Sequence, residues 1–308
     1  MTNDKRGVVV GIDGSDAAQG AFAHAAWEAH RRGCVLRLVH AQRVPLPVPA
    51  PYALIPIIPD QSELDQATRA ATELLADYRA RAQVAFPELR VECEVVTDSP
   101  AGALVAASAD AQLVVVGSRG LGGFTGLLLG SVSAQLAAHS RSPVIVVRPP
   151  EDRGNLGVGP LHTPVVVGVG GVPESEAALA FAFDEASARG APLIATYAWW
   201  MLPPNNLGPT GPRHYDLAEA EDEARRMLAE AVAGWSEQYP DVEVTLRPEH
   251  SLNPAVGLLE LSRKAGLLVV SRHGGNVLSR LLFASVGDIA VREAECPVAV
   301  VPENADQT

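Results

Sequence analysis

Cysteine is scarce in this chain, and what there is cannot staple it. Cys34, Cys93 and Cys296 are odd in number, widely separated and without a C-x-x-C pair, which argues against a disulfide framework and against a zinc site. Each stands in or beside an apolar segment and reads as a small buried hydrophobe in a reducing compartment. Positive charge is also short. The chain carries 36 acidic against 24 basic residues, a formal net charge of −12, and its lysines are Lys5 and Lys264. It therefore lacks the basic footprint of a general nucleic-acid or anionic-membrane binder. No apolar run reaches membrane-spanning length, and MTNDKRGVVV lacks the basic-then-apolar layout of a signal peptide. The expectation is a cytoplasmic protein that engages neither nucleic acid nor membrane.

What the chain does have is apolar residues, at 47%, and a duplicated plan. Val8-Val9-Val10-Gly11 recurs as Val165-Val166-Val167-Gly168, and AAWEAHRRG (25–33) aligns at the same offset with AFDEASARG (182–190). Later LVVVGSRGLGG (113–123) aligns with LLVVSRHGGNV (267–277), and Ser142-Pro143-Val144 with Cys296-Pro297-Val298. Two long copies mean two tandem domains rather than a solenoid. We place the domains at 1–150 and 164–308, with the Pro/Gly-rich stretch 151–163 as linker.

In the first copy the pattern predicts a buried strand from Gly7 to Ile12, a turn at Asp13-Gly14-Ser15-Asp16, and a helix to Arg32. A strand over 34–42 follows. Residues 43–60, with Pro45, Pro47, Pro49, Pro51, Pro56 and Pro59, read as a surface loop or flap. Then come a helix near 62–85, a strand near 90–96, a short helix at 100–109, and the apolar strand 113–116. A last helix starts near Ser131 and a last strand covers 144–147. The second copy repeats this order from 164 to 301. Strands alternating with helices imply right-handed crossovers and a parallel, doubly wound α/β sheet in each copy.

The informative stretch joins the last two strands of the first copy. Gly117, Gly120 and Gly130, followed by Ser131, give the spacing G-x2-G-x9-G-S. Gly117 and Gly120 let the backbone turn at the strand end and approach a ligand closely. Gly130 and Ser131 open a helix whose N–H groups and positive dipole end suit a phosphate, and the Ser131 and Ser133 hydroxyls can add donors there. No lysine lies in 117–133, so this is not a P-loop, and Gly117-x-Arg119 breaks the G-x-G-x-x-G dinucleotide turn.

The string Gly117-x2-Gly120-x9-Gly130-Ser131, together with the opening VVVGIDGSDAAQGAFAHAAWEA, resembles the universal stress protein family, and the resemblance spans both copies. It implies a five-stranded parallel sheet of order 3-2-1-4-5 in each domain, helices on both faces, and ATP at the switch point between strands 1 and 4. Three segments would meet there: Gly11, Ile12, Asp13, Gly14 and Ser15; His40 and Ala41, whose backbone would hold adenine; and Val116, Gly117, Arg119, Gly120, Gly130, Ser131, Val132 and Ser133. Asp13 can contact the ligand through Mg²⁺ and phosphate, or can simply cap the turn. Arg119 can pair with phosphate or stay solvated.

The second copy departs where it matters. Gly170 replaces Asp13, Val172 replaces Ser15, Ser271 replaces Gly117 and Ala284 replaces Gly130, while Gly274 and Ser285 persist. A second site around Ala198, Ser271, Gly274, Ala284 and Ser285 would be weak, and Trp199-Trp200 would line it or pack a core.

No nucleophile–base pair or carboxylate dyad marks a turnover site, so the reading is a nucleotide-binding regulator with at most slow ATP hydrolysis. An enzyme on a related fold, an ATP pyrophosphatase or an electron-transfer flavoprotein, is one alternative. Gly11-Ile12-Asp13-Gly14-Ser15 loosely resembles the S-G-G-x-D-S phosphate loop, with Asp and Gly in the wrong order. A structural module with empty pockets is the other. The final apolar strands are expected to be edges, able to pair in an internal pseudo-dimer or a homo-oligomer.

Overall fold

A computed structural model of the chain describes residues 7–42, 61–120, 129–148, 162–170, 172–199, 217–250, 254–272 and 286–303. The chain divides into two compact units, Met1–Gly157 and Val158–Thr308.

In the first unit the strands are β1 (Gly7–Gly11), β2 (Leu36–Gln42), β3 (Val91–Thr97), β4 (Ala111–Gly117) and β5 (Val144–Val147). All pairs are parallel, and the order is β3-β2-β1-β4-β5. The central strands are runs of valine and leucine because both sheet faces are covered, leaving no side for polar alternation. Val8, Val9, Val10, Leu113, Val114 and Val115 have no exposed surface. Each such side chain contributes about 1.5–3 kcal/mol of burial. β3, at the edge, alternates half-buried and exposed residues instead.

The helices are α1 (Asp16–Arg31), α2 (Gln61–Ala85), α3 (Pro100–Ala107) and α4 (Ser131–His139). α1 and α2 pack on one face of the sheet and α3 and α4 on the other. Ser15 caps α1, its Oγ accepting from the Ala18 N–H at 3.2 Å. α1 ends where Gly33 takes φ +60°, a left-handed conformation open to glycine. α2 docks through Ala71, Leu75, Tyr78 and Ala82, one stripe at helical spacing, with Tyr78 edge-on to Phe22. The predicted helix 100–109 is shorter: α3 stops at Ala107 and a 3₁₀ turn covers Ser108–Asp110.

The second unit repeats the design with β6 (Val165–Gly168), α5 (Val172–Arg189), β7 (Leu193–Trp199), α6 (Leu217–Gln238), β8 (Val244–His250), α7 (Pro254–Ser262), β9 (Leu267–Arg272), α8 (Val286–Glu293) and β10 (Val298–Pro302). Its parallel order β8-β7-β6-β9-β10 is the same topology, and Gly190 at φ +57° repeats Gly33. The predicted flap 43–60 lies outside the described residues, as does most of the proposed linker.

The three cysteines are free thiols. Cys296 is buried as expected, but Cys34 and Cys93 are half-exposed. Cys34 follows the end of α1, and Cys93 sits on the edge strand, where its thiol donates to the Leu75 carbonyl at 3.6 Å.

Candidate functional site

β1 and β4 lie side by side in the first unit, and the loops leaving their carboxyl ends converge. The first loop is held in several ways. The Ile12 N–H donates to the Val39 carbonyl at 2.9 Å, extending the β1–β2 ladder past the strand end. The Asp13 Oδ1 accepts from the Ser15 N–H at 2.9 Å, an Asx turn. Gly14 adopts φ +84°, where a side chain would be strained. The cap reading of Asp13 is thus part of the structure, and it occupies one oxygen.

The other carboxylate oxygen faces the glycine loop. A Cβ built on Gly120 would stand 2.5 Å from Asp13 Oδ2, so the loop backbone presses on the carboxylate at a distance only glycine permits. Gly117 fills a different need. A Cβ there would lie 2.7 Å from the backbone of Ala17, so this glycine lets β4 end against the first turn of α1. Gly11 is capped by the Leu104 side chain, and Val116 is buried.

Gly130 closes the cradle. It is the N-cap residue of α4, with φ −76° and ψ 157° and no side-chain cap. Its N–H donates to the Ser118 carbonyl at 2.7 Å, and the Ser118 N–H to the Val147 carbonyl at 2.7 Å, which anchors this end of the loop to the sheet. A Cβ on Gly130 would come within 3.9 Å of the Gly120 nitrogen, so the α4 start and the Asp13 contact adjoin. The first-turn N–H groups of Ser131, Val132 and Ser133 have no intrahelical acceptor. Ser131 is exposed there, Val132 half-buried. α1 is closed by Ser15, whereas α4 is not closed by a side chain.

Ser133 behaves differently from expectation. It is buried and its hydroxyl donates to the Gly117 carbonyl at 2.7 Å, tying helix to strand end. Its proton is therefore committed inside the fold. Ser118 is buried too, with its hydroxyl unpartnered among the described residues. Arg119 is exposed beside Gly120.

His40 and Ala41, both half-buried near the end of β2, lie on the other side of β1. Sequence reasoning assigns this place to backbone alone and misses the ring. His40 Nδ1 lies 2.8 Å from the Ile12 carbonyl oxygen. A strand-end histidine opposite a strand-end turn is the available signal. From α2, Leu74 reaches Gly14, and Tyr78 is near enough to feel Asp13. Burial pushes the Tyr78 phenol up, Arg81 pulls it down, and the Asp13 charge raises it.

Among the described residues no group of three His, Cys, Asp or Glu side chains could hold a metal by itself. A Mg²⁺ ion at Asp13 would need phosphate oxygens and water to complete its shell, which is how Mg²⁺ is usually held.

The second unit does not reproduce the cradle among its described residues. Ser271 is buried with its hydroxyl unpartnered, and the Gly170 N–H is tied to Ser175 Oγ at 2.9 Å. Ala198 lies on β7; Gly274, Ala284 and Ser285 fall outside the described residues. No helix among the described residues is long and apolar enough to cross a membrane.

Comparison with known proteins gives one answer. The model of the universal stress protein family matches residues 6–148 and again 162–302. A universal stress protein of Mycolicibacterium smegmatis is 36% identical over 301 residues, covering 96% of each chain. One from Mycobacterium tuberculosis H37Rv is 36% identical over 304 residues, covering 98% of each. Among solved structures, a universal stress protein from Archaeoglobus fulgidus covers 99% of both chains with a TM-score of 0.69 at 17% identity, a likeness of fold.

Proposed function

Because the chain belongs to the universal stress protein family in both of its halves, we propose that its first domain, placed from the sequence at residues 1–150, binds ATP and acts as a nucleotide-dependent regulator in a stress response. The observation that carries this reading is the contact of Gly120 with the Asp13 carboxylate beside the uncapped start of α4. Polyphosphate would lie against the N–H groups of Ser131, Val132 and Ser133, near Gly117 and Gly120. Arg119, exposed and adjacent to Gly120, would add a charge-assisted bond. Adenine would lie at the end of β2, against the backbone of His40 and Ala41.

A carboxylate facing phosphate is repulsive on its own. Mg²⁺ between Asp13 and the phosphate oxygens would remove the repulsion, and the geometry suits it, since one Asp13 oxygen is engaged by Ser15 and the other faces the loop. The metal would supply charge neutralisation and orientation. Among the described residues the first unit offers no nucleophile–base pair at this edge, so slow hydrolysis at most is expected.

In the second unit Gly170 and Ser271 remove the carboxylate and the close strand-end approach, which supports about one tightly bound nucleotide per chain. The apolar last strands β5 and β10 support assembly through sheet edges, as an internal pseudo-dimer or a homo-oligomer.

The test is titration calorimetry of the purified chain with ATP, with Mg²⁺ and with a chelator, alongside mass spectrometry of any ligand released on denaturation. Saturable, metal-assisted binding near one ATP per chain is expected. No binding of ATP would overturn the reading, and rapid steady turnover would move the protein to the enzyme class.

A further inference from the structure

The ring of His40 joins two segments of the proposed site. Its Nδ1 stands 2.8 Å from the Ile12 carbonyl oxygen. A carbonyl only accepts, so Nδ1 carries the proton and donates it. The acceptor belongs to the peptide whose N–H is that of Asp13. Fixing this carbonyl fixes the peptide plane from which the Asp13 backbone departs, one bond from the Cα that bears the carboxylate. Asp13 is then held at three points: by His40 through the preceding carbonyl, by the Ser15 N–H on Oδ1, and by the backbone of Gly120 packed on Oδ2.

The two copies in the chain form an internal control. In both, the residue after the first strand's end is bonded to the second strand: Ile12 N–H to Val39 at 2.9 Å, and Val169 N–H to Thr196 at 2.8 Å. Backbone pairing therefore needs no histidine. At the next position along the second strand the copies diverge, with His40 in the first and Tyr197 in the second. A phenol has no donor where Nδ1 would be. In the second copy the carboxylate is also gone, and the turn is fastened from inside α5, where Ser175 Oγ accepts from Gly170 N–H at 2.9 Å. The equivalent of Ser175 in the first copy is Ala18. The side-chain clasp across the strands occurs in the copy that has a carboxylate to aim, and the copy without one uses a local tie instead.

We propose that His40 is a positioning residue, whose Nδ1–H bond to the Ile12 carbonyl aims Asp13 at the Gly120 cradle and so sets the affinity for a metal-bound polyphosphate. The proposal rests on the nucleotide reading above. Loss of one such hydrogen bond, with the acceptor able to turn to water, corresponds to a weakening of about two- to tenfold.

The experiment is a double-mutant cycle of His40→Phe and Asp13→Asn, with His40→Asn as the conservative control and ATP·Mg²⁺ affinity as one readout. Asparagine places an N–H donor close to the Nδ1 position. Nitrogen NMR of the ligand-free protein gives the second readout, from the proton on His40 Nδ1 and the order of the Asp13 amide. In the otherwise unmodified chain, His40→Phe is expected to weaken binding about fivefold, and in the Asp13→Asn background hardly at all. It should also loosen the Asp13 amide, and His40→Asn should largely restore both readouts. Additive effects in the cycle, or a ligand-free ring protonated on Nε2 alone, would overturn the proposal. If the unmodified chain binds no ATP, the nucleotide reading falls. The NMR readout then decides the clasp separately: an Asp13 amide equally ordered in wild type and His40→Phe would overturn it.

Discussion

Gly120 rests against the carboxylate of Asp13, so closely that a Cβ at 120 would lie 2.5 Å from Oδ2. Two residues far apart in the chain are thus brought into contact at one edge of the proposed site, one of them by lacking a side chain. Gly120→Ala is expected to push the Asp13 side chain aside. The obstacle is a short side chain rather than backbone, so the fold should hold, with the melting temperature within a few degrees of wild type. Affinity for ATP·Mg²⁺ should drop about tenfold, as for loss of one charge-assisted contact. Calorimetry and melting of the same sample test both halves, and an unchanged dissociation constant would separate Gly120 from the site.

Gly130 allows a cleaner separation of stability from binding. Its φ of −76° suits any residue, and a Cβ there meets the Ser118 carbonyl oxygen at 3.3 Å, a tight but not prohibitive contact. Serine at this position would supply the side-chain cap that α4 lacks, and should raise stability by a few tenths of a kcal/mol. The same hydroxyl would occupy the N–H groups proposed for phosphate. Gly130→Ser should therefore melt no lower than wild type and bind ATP more weakly, as should Gly130→Ala through its methyl group. Tighter ATP binding by Gly130→Ser would refute the phosphate assignment at α4.

Asp13 has two roles that one substitution can divide. Asp13→Asn keeps an oxygen to accept the Ser15 N–H, now at 2.9 Å from Oδ1, but removes the charge. Stability should change by less than about 1 kcal/mol, in the range of one neutral hydrogen bond. If Asp13 acts through Mg²⁺, ATP affinity should become less dependent on the metal. Asp13→Ala should lose both the turn and the metal dependence. Calorimetric titrations with and without chelator distinguish the cases, and equal metal dependence in Asp13→Asn would rule out the Mg²⁺ role.

Cys34 gives a test by pH. Burial raises its thiol above the ordinary value, and this outweighs the backbone hydrogen bond at Val8 and the nearby Arg32, both of which lower it; Glu28 adds to the rise. A thiol raised in the folded state stabilises the fold while it is protonated, so its contribution is present below the ordinary thiol value and is lost as pH climbs through the raised one. Alkylation of Cys34 near pH 8.5 (the ordinary thiol range) should be several-fold slower in the folded chain than in denaturant. Equal rates would contradict the burial effect.

How much of this is legible in the sequence follows from what each residue depends on. The βα order is readable because valine runs such as Val8–Val10 and Val114–Val116 are required by strands buried on both faces. Glycines 117, 120 and 130 stand out by spacing, but their separate tasks do not. Gly117 is set by its packing on Ala17, Gly120 by Asp13 and Gly130 by the helix start, and these are tertiary relations. Spacing offers Ser133 as a donor to ligand, because it cannot show that the hydroxyl points to the Gly117 carbonyl. His40 is legible only through its backbone, since a lone histidine carries no periodic signal. Glu28 and Glu185 give no signal at all, because carboxylates near a helix end read as solvated.

Those two carboxylates support the last prediction. Glu28 on α1 and Glu185 on α5 are equivalent in the two copies, and neither has any exposed surface. Glu28 accepts from Arg31 at 2.7 Å and from Arg32 at 2.9 Å, with His24 at 3.7 Å. Glu185 accepts from Arg189 at 2.9 Å, the counterpart of Arg32. Breaking a buried pair by removing one partner costs about 3–5 kcal/mol, because the remaining charge stays desolvated. The arginines differ in what happens next. Arg31 and Arg32 keep 17% and 16% of their side chains exposed, so after Glu28→Ala they can turn toward water. Arg189 keeps only 3%, so after Glu185→Ala its guanidinium cannot turn to water without rearranging the packing around it. Glu185→Ala should therefore be the more destabilising of the two, near the top of that range, and Glu185→Met with Arg189→Leu should recover most of the loss by removing both charges. Urea unfolding of the three variants measures this directly. A Glu28→Ala protein as unstable as Glu185→Ala, or a double variant no better than the single, would show that burial of the arginine does not set the cost.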